Sequence, residues 1–174
     1  MGNGGSRKAF WMVGGFVVIA DLATKLIAAA TLSRLPVRVA GDFITLQLVY
    51  NPGAAFGIHV GEYSRWVFMA LAMLALVVLG SMVRQTEPGQ WVRLTALGAV
   101  CGGAVGNLID RFRSARGVVD FIDVGIGSYR WPTFNVADMA VTCGAVVLAV
   151  VLWSEGPEKE RTEDPAAAPV SSSS

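Results

Sequence analysis

Long apolar runs alternate along this chain with short polar breaks. The runs occupy about residues 10–31, 66–83, 91–109 and 134–153. Each is near the ~20 residues that a helix needs to cross ~30 Å of hydrocarbon. Four membrane-spanning helices are therefore predicted. The tryptophans support these limits: Trp11, Trp66, Trp91 and Trp153 flank runs and Trp131 precedes the fourth, as amphipathic rings do at a membrane–water interface. The first run follows Arg7 and Lys8, much as the apolar part of a secretory signal would. It runs well past the ~7 to 15 residues of such a segment, and it holds Asp21 and Lys25, so a retained helix is expected.

Between the first two runs the period changes. Ile44, Leu46, Leu48 and Tyr50 alternate with Thr45 and Gln47, which predicts a strand. Asn51-Pro52-Gly53 follows as a strong turn signal, and then Ala54-Ala55-Phe56-Gly57. A small β element over about residues 37–57, lying on the membrane surface, is expected. Glu87-Pro88-Gly89 suits a tight connection between the antiparallel second and third helices. Residues 111–132 read as a loop on the same side as the β element, and residues 155–174, charged and then rich in Pro, Ala and Ser, read as a disordered tail. The expected fold class is an all-α integral membrane protein with four transmembrane helices and a small β element after the first, residues 1–154 making one membrane-embedded domain.

Composition agrees with the pattern: 53% hydrophobic and 16% charged residues, with a mean hydropathy of +0.54, do not describe a soluble domain. The net charge of +1 and the lack of a basic run with interleaved aromatics argue against nucleic acid as a partner. Cys101 and Cys143 fall within spans and read as small apolar packing residues. The single histidine, His59, reads as an interfacial loop residue, so there is no His/Cys cluster and neither a metal nor another cofactor is expected. Four spans put both termini on one side. The basic residues do not say which, since Arg7, Lys8, Arg84, Arg93, Lys159 and Arg161 face Arg34, Arg38, Arg65, Arg111, Arg113, Arg116 and Arg130.

The third run carries Gly98, Gly102, Gly103 and Gly106, small residues that let helix backbones approach closely. Less expected are carboxylates at membrane depth, because an acid inside a spanning helix costs about 2.5 to 3.5 kcal/mol. Asn-x-x-Asp occurs twice, at Asn107–Asp110 and Asn135–Asp138, and Asp120 lies between. The third span ends where the fourth begins, so Asp110, Asp120 and Asp138 can converge at one membrane face, with Asp123 able to approach. Two carboxylates a few ångströms apart do not both ionise easily, which leaves one acid and one base. That pair can activate water against an amide and protonate the leaving amine. Each residue also has a structural reading: Asp138 suits the positive end of a helix, Asn135 suits an N-cap, and Asp110 suits a pair with Arg111 or Arg113. Asp21 and Lys25, spaced i,i+4, read as a structural ion pair within the bilayer.

The chain resembles the bacterial lipoprotein signal peptidases, the signal peptidase II family. The resemblance rests on Asp21-x-x-Thr24-Lys25, Asn51-x-Gly53-Ala54-Ala55-Phe56-Gly57, Gly106-Asn107-x-x-Asp110-Arg111, Val118-Val119-Asp120-Phe121 and Phe134-Asn135-x-Ala137-Asp138, in order and in register with the spans. It implies a membrane aspartyl endopeptidase that cuts the signal peptide from a diacylglyceryl-modified prolipoprotein just before the lipidated cysteine. It implies termini in the cytoplasm and an active site at the extracytoplasmic face of the inner membrane. It places the catalytic pair on Asp120 and Asp138. Asn51, Gly53, Asn107, Arg111 and Asn135 fall on positions that hold substrate or orient the pair, and Asp110 on a supporting acid, although the residues alone leave Asp110 open as the partner of Asp138. Prolipoproteins and membrane lipids are the expected partners of a monomer.

Overall fold

A computed structural model describes residues 3–53 and 61–155. The expected Ala54–Gly57 motif, His59 and the tail beyond residue 155 lie outside the described residues. Four helices form: α1 Asn3–Thr31, α2 Ser64–Gln85, α3 Trp91–Arg113 and α4 Val136–Glu155, with a short 3-10 turn at Gly61–Tyr63 ahead of α2. All four are long and apolar enough to cross a membrane. All five tryptophans are exposed, as the interfacial reading requires.

The helices are not equivalent. Half of the α3 span is buried inside the bundle against 6% of the α2 span, so α3 is the central element and α2 the peripheral one. Its glycines are the reason. A Cβ on Gly98 would lie 2.7 Å from the Phe10 carbonyl oxygen and one on Gly102 2.7 Å from the Gly14 carbonyl oxygen, both on α1. On the opposite side, Gly103 meets the Ala137 carbonyl of α4. The glycine repeat thus brings two backbones against α3 at once, with Leu97 wholly buried alongside.

The β element is larger than the sequence pattern indicates. Strands β1 Val37–Ala40, β2 Ile44–Asn51, β3 Val118–Ile126 and β4 Tyr129–Arg130 form one antiparallel sheet in the order β1-β2-β3-β4. Residues 111–132 are therefore not a plain loop, and Asp120 sits on a strand. Its register is set by Asn51↔Val118, Tyr50↔Val119 and Val49↔Asp120. The alternation that marks a half-buried strand is absent from β3 because Asp120 and Asp123 occupy buried positions. The sheet is seated on the end of α1, where Phe121 packs with Ala28 and Leu32 and with Leu46, Leu48 and Val136 around them. Phe134 also bridges to Ile122, so α4 starts at Val136 rather than at Phe134.

Gly102→Ala should lower stability by about 1–3 kcal/mol, because the new methyl must push α1 from α3. Gly80→Ala, where a Cβ meets nothing within 4 Å, should cause no loss. Thermal unfolding of both variants in detergent checks the contrast.

Candidate active site

The second Asn-x-x-Asp segment starts α4. The Asp138 N–H donates to Asn135 Oδ1 at 2.9 Å and the Asn135 N–H donates to Asp138 Oδ2 at 3.1 Å. This is a reciprocal capping box: two orphan N–H groups at a helix start are satisfied, and the Asp138 carboxylate is fixed over the positive end of the helix. The helix-dipole reading of Asp138 and the N-cap reading of Asn135 both hold. Asn135 is fully buried, so its amide must find partners within the protein. Its Nδ2 donates to Asp120 Oδ1 at 2.7 Å and lies 3.1 Å from Asn107 Oδ1 and 3.3 Å from the Val119 carbonyl.

Asp120 is thereby tied to the residue that also binds Asp138. Its other oxygen accepts from Asn51 Nδ2 at 3.1 Å, and Asn51 is held in turn by the Gly53 N–H, which donates to Asn51 Oδ1 at 3.0 Å. Gly53 has φ +123°, and a Cβ there would lie 2.8 Å from the Phe68 ring, so no other residue fits this turn. Burial of Asp120, joined by the charge of Asp138, pushes its carboxyl from the ordinary 3.8 up to about 7, against the opposing hydrogen bonds of Asn51 and Asn135.

The first Asn-x-x-Asp segment works differently. Asn107 does not serve its own Asp110; Nδ2 crosses to α4 and donates to Asp138 Oδ1 at 2.8 Å. Asn107 Oδ1 accepts from Lys25 Nζ at 2.9 Å. Lys25 also forms ion pairs with Asp21 Oδ2 at 2.7 Å and Asp110 Oδ2 at 2.8 Å, so one ammonium faces two carboxylates and an amide oxygen. The expected Asp21–Lys25 pair exists, while Asp110 pairs with Lys25 and not with Arg111 or Arg113. Asp110 Oδ2 further accepts the Val119 N–H at 3.2 Å and so anchors the start of β3. Asp21 Oδ1 accepts the Ala137 N–H at 2.9 Å, at the start of α4.

Arg111 donates through Nη1 to the Asn107 carbonyl at 3.1 Å, lies over the Phe68 ring at 5.7 Å, and is within electrostatic reach of Asp138, Asp120 and Asp110. Asp123 does not join the cluster. Arg130 clamps it through Nε at 3.0 Å and Nη2 at 2.9 Å, and Gln47 Nε2 donates to it at 3.0 Å, so it braces the sheet. The reach of Lys25 to Asp110 and Asn107 is missed by sequence reasoning, because i,i+4 spacing reports only the partner on its own helix. Beside Asp138 a cavity of 360 Å³, lined by Trp131, Phe134, Met139, Thr142 and Cys143, opens along α4.

Four helices long and apolar enough to span, with the carboxylates of Asp120 on β3 and Asp138 on α4 joined through Asn135, describe a multi-pass membrane protein with a paired-carboxylate site. Residues 13–154 match the family model described as Signal peptidase (SPase) II. A lipoprotein signal peptidase of Rhodococcus jostii (strain RHA1) is 42% identical over 153 residues, 83% of this chain and 72% of that protein. One from Paraburkholderia phymatum (strain DSM 17167 / CIP 108236 / LMG 21445 / STM815) is 37% identical over 147 residues, 83% of this chain and 87% of that protein. A bacterial membrane enzyme solved by the in meso method at 2.3 Å superposes with a TM-score of 0.75 at 31% identity, over 87% of this chain and 92% of that one. The chain belongs to the signal peptidase II family, and is a membrane peptidase of the class that removes signal peptides from lipoproteins.

Asp21→Asn should lower unfolding stability by about 3 kcal/mol, the low end for breaking a buried pair because Asp110 still faces Lys25. Turnover per folded molecule should remain, which a parallel thermal-unfolding and activity measurement checks. Asp120 supplies a pH signature. Its folded value lies above its unfolded one, so its contribution to stability is complete below pH 3.8 and is lost as pH rises through about 7. The unfolding midpoint should fall across that window, and Asp120→Asn should remove this part of the slope.

Proposed function

We propose that Asp120 and Asp138 are the catalytic pair of an aspartyl endopeptidase that cuts diacylglyceryl-modified prolipoproteins just before the lipidated cysteine. The observation that carries this reading is Asn135, which binds both carboxylates at once, Asp120 through its amide and Asp138 through its backbone N–H. Asp120, raised to about 7, is suited to hold the shared proton. Asp138, with one oxygen on Asn107 and the other on Asn135, acts as the base.

In the first step Asp138 takes a proton from water as the water oxygen attacks the scissile carbonyl, and Asp120 gives its proton to the carbonyl oxygen. In the second, Asp138 passes the proton to the leaving nitrogen while Asp120 recovers its own, the C–N bond breaks, and the pair returns to its starting state. Asn51, Asn107 and Asn135 orient the carboxylates, Gly53 shapes the turn that delivers Asn51, and Arg111 meets substrate or the developing charge. Asp110 is a supporting acid, since its Oδ2 is already committed to Lys25 and the Val119 N–H. The cavity beside Asp138 offers an apolar berth for part of the lipid-modified substrate.

The enzyme acts without a cofactor, as a monomer in contact with membrane lipids. It sits in the bacterial inner membrane with cytoplasmic termini and its site at the extracytoplasmic face. Residues 1–154 form the peptidase domain and residues 155–174 a cytoplasmic tail.

Cleavage of a purified diacylglyceryl-prolipoprotein in detergent with EDTA, with folding monitored in parallel, tests this. Asp120→Asn and Asp138→Asn should each lower turnover on the order of 10³-fold or more, with Asp110→Asn within about tenfold of wild type per folded molecule. Turnover should fall above pH about 7, where Asp120 loses the proton it donates. Retained cleavage in Asp120→Asn together with loss in Asp110→Asn would name Asp110 as the partner instead.

A further inference from the structure

The Lys25 ammonium is 3% exposed and sits where α1, α3 and α4 meet. An ion pair with Asp21 on its own helix accounts for one of its three contacts. The contact with Asn107 Oδ1 at 2.9 Å is of another kind, because Asn107 is neutral and does not help to balance the charge. It does constrain chemistry. An ammonium offers donors only, so the face of the Asn107 amide turned to Lys25 must be its oxygen, and the NH2 must point the other way. The other way is Asp138, which receives Nδ2 at 2.8 Å.

We propose that Lys25 is a positioning residue of the reaction: by holding the Asn107 amide in one orientation, it guarantees a donor at Asp138 Oδ1 and keeps Asp138 competent as the base. Without the cation the amide can turn over. Its oxygen then faces Asp138, where it repels the carboxylate and rewards the protonated acid, which cannot accept a proton from water. Among the described residues the other donor to Asn107 Oδ1 is Asn135 Nδ2 at 3.1 Å, an amide already shared with Asp120 and the Val119 carbonyl, so it cannot hold the orientation alone. Among the described residues, the charged groups around Asp138 are Lys25 and Asp21 from α1, Asp110 and Arg111 from α3, and Asp120 from β3. Arg111 donates to the Asn107 backbone carbonyl rather than to its side-chain oxygen.

The inference rests on Asp138 being the base, and the experiment separates the two. Removing Lys25 alone leaves two buried acids facing each other, so the informative variant is Lys25→Met/Asp21→Asn, which removes one positive and one negative charge and keeps the net charge of the cluster as in wild type, read against wild type and against Asp21→Asn. The double variant should lose about tenfold or more in kcat with KM little altered, and the acid limb of its kcat/KM profile should move up by about one pH unit. Lys25→Arg, whose guanidinium also carries donors only, should restore the acid limb even where its bulk lowers the unfolding temperature. An acid limb and kcat equal to those of Asp21→Asn would overturn the proposal. Should the double variant fail to fold, Asn107→Leu reads the same link from its other end, since Lys25 keeps both carboxylates. Its acid limb should rise by the same amount, and an unmoved limb overturns the proposal. Full turnover in Asp138→Asn would instead show that the base is wrongly named, and would remove both readings together.

Discussion

One buried ammonium with three acceptors around it governs how this molecule is put together. A charge at this depth is tolerated only if it is paired, and Lys25 faces two carboxylates and an amide oxygen from α1 and α3. The acids it neutralises are not idle at their other contacts. Asp21 caps an N–H at the start of α4 and Asp110 an N–H at the start of β3. A single ionic cluster therefore fixes the relative heights of three helices and of the strand that carries Asp120, so sliding of any one of them would strand a buried charge.

Packing and electrostatics impose the same geometry here. A Cβ on Gly106 would lie 2.5 Å from Asp21 Oδ2, so the glycine that lets α3 close on α1 also leaves room for the carboxylate to reach Ala137. Gly103 does the equivalent against α4. The peripheral helix α2 takes little part in this, which fits its mostly lipid-facing surface. Its contribution lies at its first turns, where Phe68 meets Gly53 and Arg111, and where Arg65 Nε donates to the Arg111 carbonyl at 2.7 Å.

What the one-dimensional pattern reveals follows from how local each signal is. The four spans are legible because a helix in hydrocarbon satisfies its own backbone and needs only a long apolar run. Strand β2 is legible because its inward residues are apolar. Strand β3 is not, because both of its faces are covered, with the successive residues Asp120 and Phe121 both buried, and because Asp120 and Asp123 put a carboxylate on each face. The set of candidate residues was readable as a set, since carboxylates and asparagines at membrane depth are conspicuous against such a background. Their pairing was not. Nothing in the spacing says that Asn107 crosses to Asp138, that Asn135 reaches Asp120, or that Asp123 turns to Arg130, because each of those contacts depends on how separate elements dock.

The repeated Asn-x-x-Asp shows why a structural reading and a chemical one need not compete. At the start of α4 the segment closes a capping box, whereas within α3, where the backbone N–H groups are already bonded, the same residue types are free to look outward. The two asparagines then converge on one another, with Asn135 Nδ2 3.1 Å from Asn107 Oδ1, and each serves the carboxylate of a different element. Stabilising the helix start and aiming Asp138 are the same pair of hydrogen bonds. A carboxylate held by its own cap, by a neighbouring amide and by the helix behind it has a fixed orientation, and in the role proposed for Asp138 that leaves little to reorganise.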